Sequence, residues 1–135
     1  PDNAIALKEK LERGEWIAFV GDRISDNPQR GGEWRVCWSR FMGQAAPFPQ
    51  GPFILASILR CPVDLLFALR QRGKLCIHCE PFADPLVLPR AERQQALQHT
   101  VDRYAERLEH YALQSPLDWF NFFDFWQLPE PKNKE

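Results

Sequence analysis

An acid and a base stand side by side at Asp22-Arg23, directly after the apolar run Trp16-Ile17-Ala18-Phe19-Val20 and Gly21. A carboxylate can orient a hydroxyl, and a guanidinium fork grips phosphate or carboxylate, so the couple suits the mouth of a binding site. Arg30, Arg35 and Arg40 follow and extend the basic character. The plainer alternative is that Asp22 and Arg23 pair with each other or cap a loop. Position favours ligand binding, because ionisable groups beside an apolar element need a partner or a purpose.

Cys76-Ile77-His78-Cys79 has the spacing of a metal or redox motif. On an extended strand, residues three apart point to opposite faces, so the two thiols cannot share an ion. Core thiols beside a strand histidine are the expectation, and no metal or other cofactor is called for. A histidine acting as general base needs an orienting carboxylate, which a His-x4-Asp/Glu arrangement supplies locally. The residues five after His78, His99 and His110 are Ala83, Tyr104 and Ser115, so none qualifies. Neither a Gly-x-Ser-x-Gly elbow nor a phosphate-cradling glycine loop is found in the sequence. No self-contained catalytic engine is visible.

The elements that would hold these groups follow from periodicity. Residues 16–20 form a continuous apolar run of strand length between Gly14 and Gly21, which reads as a strand buried on both faces within a parallel sheet. In such sheets ligands lie beyond the carboxyl ends of the strands, where Asp22 and Arg23 stand. A short helix capped by Asp2 or Asn3 precedes it, with Ala4, Leu7 and Leu11 on one side. A helix leading straight into the most buried strand leaves few strands to flank it, so the front of the domain is expected to lie upstream of Pro1. After a polar loop over 24–32, residues 33–40 alternate, placing Trp34, Val36 and Trp38 on the buried face. Residues 41–51 read as irregular, and Pro52 opens a helix apolar nearly all round and therefore expected to be buried. Residues 62–69 and 74–80 read as a hairpin about Arg70-Gln71-Arg72-Gly73, followed by a loop over 81–89. Leu97, Val101, Tyr104, Leu108 and Tyr111 have helical spacing and predict a long amphipathic helix over 90–114. Ser115-Pro116-Leu117-Asp118 opens a last short helix with Trp119, Phe122, Phe123 and Trp126 on one face. Those aromatics either cap the core or meet acyl chains and a bilayer; the spacing favours the core.

The chain has 135 residues, 44% of them apolar, enough for one packed core. The expected architecture is α/β, a partly parallel mixed sheet flanked by helices. One domain spans 1–126, with a disordered tail over 127–135. A formal net charge of −1 gives no field that would attract nucleic acid, so no nucleic-acid partner is expected. Cys37, Cys61, Cys76 and Cys79 lie in apolar segments and read as reduced core thiols of a cytosolic compartment.

Two motifs in order carry a resemblance. Leu11, Gly14 and the four apolar residues before Gly21-Asp22-Arg23 form the first; Phe41, Gly43, Phe48, Pro49, Gly51, Pro52, Leu55 and Ala56 form the second. With the hairpin and the closing Ser115-Pro116-Leu117-Asp118-Trp119-Phe120, this order resembles the bacterial lipid A late acyltransferases, the lauroyl/myristoyl transferases of the lysophospholipid acyltransferase superfamily. The resemblance covers 1–126 and implies the C-terminal part of a glycerolipid-acyltransferase-like fold. It implies transfer of a fatty acyl group from acyl-carrier protein or a coenzyme A thioester to a lipid-like hydroxyl. The family's base is a His-x4-Asp/Glu motif well before Gly-Asp-Arg; it is absent here, so no catalytic residue is assigned and the chain alone is expected to be inactive. The resemblance implies that Asp22 and Arg23 line the pocket and that Gly51 lets backbone approach closely; Arg30, near Arg23, is a further candidate for binding phosphate through its guanidinium fork. It further implies the cytoplasmic face of the bacterial inner membrane, with peripheral attachment through a segment upstream. The family's basic run after the terminal tryptophan is replaced here by Asn121-Phe122-Phe123-Asp124-Phe125-Trp126, which points to a less anionic acceptor such as another lipid or a polyene-type product. The alternative function is a non-catalytic α/β lipid- or acyl-binding or assembly module.

Overall fold

Two hairpins and one long helix organise the molecule. The computed structural model describes residues 2–24, 34–119 and 121–128. In order, the elements are α1 (Asp2–Glu12), β1 (Val36–Phe41), β2 (Gln44–Pro49), α2 (Gly51–Leu59), β3 (Val63–Gln71), β4 (Lys74–Ala83) and α3 (Arg93–Gln114). The class is mixed α/β, as expected, but no parallel sheet forms among the described residues. β1 pairs only with β2 and β3 only with β4, both antiparallel. Local turn chemistry explains the outcome. Met42-Gly43 and Arg72-Gly73 all have φ between 49° and 81°, the left-handed pair that a two-residue hairpin turn requires. Each strand therefore meets its sequence neighbour first.

The run 16–20 is not a strand. Trp16 is 85% exposed, and Phe19 and Val20 are exposed as well. A strand buried on both faces needs partners on both edges, and the four described strands are already paired off in hairpins. The segment instead runs over the surface until Gly21.

β2 lies where irregular chain was expected. Its register with β1 puts Pro47 opposite Trp38 and Pro49 opposite Val36. Counting from the tight turn, both are non-hydrogen-bonded positions, where a missing N–H costs no ladder bond. The buried face of β1 is also the reverse of the expected one: Cys37, Ser39 and Phe41 point inward, while Trp38 is largely exposed. Ser39 makes this possible, since its hydroxyl donates to Asp102 Oδ1 on α3 at 2.7 Å and so enters the core satisfied. Trp34, Val36 and Trp38 are the more apolar set, so periodicity alone misassigned the face.

α3 carries the core. All five spaced positions, Leu97, Val101, Tyr104, Leu108 and Tyr111, are buried, along with Thr100, Ala105 and Ala112. α2 begins with Pro52 in its first turn and ends at Arg60, whose left-handed backbone donates to Ala56 O. Only Phe53 of α2 is buried, and Ile58 is exposed, so the helix lies at the surface rather than inside. The expected terminal helix is a single 3-10 turn, Pro116–Asp118, with the Ser115 hydroxyl on Asp118. Its aromatic face divides. Trp119, Phe125 and Trp126 gather round Phe41 with ring centroids 5.1–6.3 Å away, while Phe122 and Phe123 face solvent. Gln127 and Leu128 are the last described residues; the rest of the expected tail lies outside them.

Candidate functional site

Tyr104 on α3 is the point where the two motif segments meet. Its ring makes edge contacts with Phe53 at 5.4 Å and Phe48 at 5.9 Å. Phe53 is in the first turn of the helix that Gly51-Pro52 opens, and Phe48 is the penultimate residue of the strand before it. From the other side comes Gly21. A Cβ there would lie 2.8 Å from the Tyr104 hydroxyl, so only glycine brings this backbone against the buried phenol. Burial pushes the Tyr104 hydroxyl far above its usual range, and the charge of Asp22 pushes in the same direction. Tyr104 is therefore a neutral group that can donate a hydrogen bond.

Asp22 is mostly buried and Arg23 is half-exposed. Their closest charged atoms, Arg23 Nε and Asp22 Oδ1, are 4.0 Å apart, the geometry of a loose pair. The Arg23 guanidinium also lies 5.8 Å from the Phe123 ring centre, a cation–π contact. The plainer alternative of mutual pairing is thus part of what these residues do. Arg30 lies outside the described residues. Gly51 is exposed at the start of α2, and a Cβ there would meet open space, so close backbone approach belongs to Gly21 and not to Gly51.

An open groove of about 610 Å³ lies elsewhere, between the β1–β2 turn and α3. Several polar groups in and beside it are tied to one another. Gln98 Nε2 donates to Asp102 Oδ1 and to Trp38 O, and Glu109 accepts the Met42 N–H. With Ser39 on the same Asp102 oxygen, these groups work as struts between helix and hairpin. Neither Asp22 nor Arg23 lines the groove.

A third polar group joins β4 to α3. Arg107 donates through Nε and Nη2 to the two oxygens of Glu80 at 2.7 and 2.8 Å, and the Tyr111 hydroxyl donates to Oε2 at 3.0 Å. Arg107 and the Tyr111 hydrogen bond hold the Glu80 carboxyl below the ordinary carboxylate range despite some desolvation, and Glu80 in turn raises Arg107. His78 lies against Tyr111 at 5.1 Å with Nε2 buried and unpaired.

Cys76 and Cys79 occupy opposite faces of β4, as strand geometry demands, and no set of three possible metal ligands occurs among the described residues. The expectation of core thiols holds for Cys37 alone, whose thiol is pushed up by burial. Cys61 and Cys76 are half-buried, and Cys79 is exposed because it falls on the outward face of its strand. His99 and His110 are exposed, as helix position suggested. Sequence reading missed Tyr104, Ser39–Asp102 and Glu80–Arg107 as polar centres. The available signal was the set of polar residues at helical spacing from the apolar stripe: Gln98, Asp102, Arg107.

Comparison with family models, with curated proteins and with solved structures finds no match. The functional reading therefore stands on the residues themselves.

Proposed function

We propose that this chain is part of an acyltransferase moving a fatty acyl group from an acyl-carrier-protein or coenzyme A thioester to the hydroxyl of a lipid-like acceptor. One observation carries the reading: Gly21-Asp22-Arg23 and the helix opened by Gly51-Pro52, far apart in sequence, converge on the Tyr104 ring. In the reaction, a base takes the acceptor hydroxyl proton, the oxygen attacks the thioester carbonyl, and the tetrahedral intermediate expels the thiolate. Asp22 orients the hydroxyl, Arg23 grips a phosphate of donor or acceptor, and the aromatic wall accepts apolar chain.

In this reading the base is not among the described residues. Among the described residues no histidine is hydrogen-bonded to a carboxylate; His110 Nε2 meets Gln114 and His78 Nε2 meets nothing. A His-x4-Asp/Glu segment upstream supplies it in this reading. The assembled enzyme works at the cytoplasmic face of the bacterial inner membrane, attached peripherally through that segment.

A thioester-cleavage assay tests the proposal. The 135-residue chain alone is expected to show no turnover, and the chain extended through such a segment to show acyl transfer. In the extended enzyme Asp22→Ala or Arg23→Ala is expected to lower the rate about 10- to 1,000-fold, as loss of a charged positioning group does. Turnover by the short chain overturns the placing of the base in an upstream segment. An extended chain that binds acyl groups without transferring them supports the binding module instead.

A further inference from the structure

The outer face of the β3–β4 hairpin is largely apolar, and no described residue covers it. Leu66 is 67% exposed, Leu75 68% and Ile77 64%. Along β3 this face reads Asp64, Leu66, Ala68, Arg70, with an acid at one end and a base at the other. The central pair of the ladder is Phe67 opposite His78, and three positions away on either side lie Asp64 opposite Pro81 and Arg70 opposite Leu75. The face is therefore balanced about its own middle.

We infer that this face binds a second copy of the chain, forming a two-fold dimer. A half-turn about an axis over the Phe67–His78 pair, across the strands, lays one face on the other with strands reversed. That operation sets Asp64 of each copy over Arg70 of the other, so both charged ends meet their opposites. It sets Leu66 over Ala68, large over small, and on β4 it sets Ile77 over Cys79. Isologous contacts need this self-complementarity, and face-to-face sheets interdigitate large against small side chains. Asp118 is a further charge near Arg70; its carboxylate takes the Arg70 N–H and the Ser115 hydroxyl. The face measures roughly 20 by 10 Å. That is small for a stable interface, so the dimer is weak, half-formed at about 10–100 μM.

Sedimentation equilibrium of the full chain from 1 to 500 μM tests the inference. The mass is expected to rise toward twice the monomer value, and Leu66→Glu to raise the dissociation constant at least tenfold. Asp64→Arg or Arg70→Asp alone should weaken association about threefold or more, and the two together should restore it. Cys79, exposed in the monomer, should be alkylated more slowly as the dimer forms, a readout on the unmutated chain that does not depend on any variant folding. A chain that stays monomeric to 500 μM overturns the inference, whether a bilayer or another protein covers the face. So does a dimer that leaves Cys79 equally reactive.

Discussion

The two hairpins share a turn type and differ in how they are held. β1–β2 has its inner face closed by α3 and the C-terminal aromatics, and Phe41 and Phe48 are fully buried there. Three hydrogen-bonded ties run from its turn and strand to α3, through Ser39, Trp38 O and Met42 N. Its outer strand carries Pro47 and Pro49 with no outward N–H at either, so that edge cannot recruit another strand. β3–β4 reaches α3 on one face only, by the Phe67–Tyr111 stack at 4.2 Å, the Glu80–Arg107 fork with the Tyr111 hydroxyl, and the Arg103 bond to Phe82 O. Its other face exposes Leu66, Leu75 and Ile77 between Asp64 and Arg70, and no described residue covers it. Apolar content is therefore a poor guide to burial here. A covered inner face and a proline-blocked edge, not the polar ties that both hairpins make to α3, mark the hairpin that belongs inside.

The contrast can be broken first at Phe41. Phe41→Ala removes the ring around which Phe48, Trp119, Phe125 and Trp126 assemble, and is expected to cost about 3–5 kcal/mol, read as a fall in the urea midpoint. The second hairpin is expected to yield less. Glu80→Gln should cost about 1 kcal/mol at pH 7, because the fork is charge-assisted but only half-buried. The pH dependence has a definite sign. The folded carboxyl titrates below its unfolded value of about 4.3, so its contribution is complete above that value and is lost as pH falls through the folded one. Denaturation curves of the two proteins should therefore converge below about pH 4 and stay apart at neutral pH. Smallest of all, Leu66→Ala on the outward face should leave dilute-solution stability within about 0.5 kcal/mol. A large loss there would mean that the face is covered within one chain.

The helix α3 and the β3–β4 hairpin were legible from spacing and turn residues, because 3.6- and 2-residue periods and an Arg-Gly turn are local properties. The Gly-Asp-Arg segment stood out as a candidate site by its order of residue types, which is also a local property. The inward face of β1 was not, since Ser39 becomes acceptable inside only once Asp102 is placed opposite it. Nor was Gly21, whose need for glycine arises from Tyr104, a residue distant in sequence.

By itself the sequence determined the three helices, the β3–β4 hairpin and which residues had chemistry to offer. Tertiary structure alone decided which faces were inside, that residues 16–20 ran bare over the surface, and that Tyr104 gathered Gly21 and Phe53. The physical reason is that periodicity is set within a few residues, whereas burial depends on the partner that arrives to share the surface.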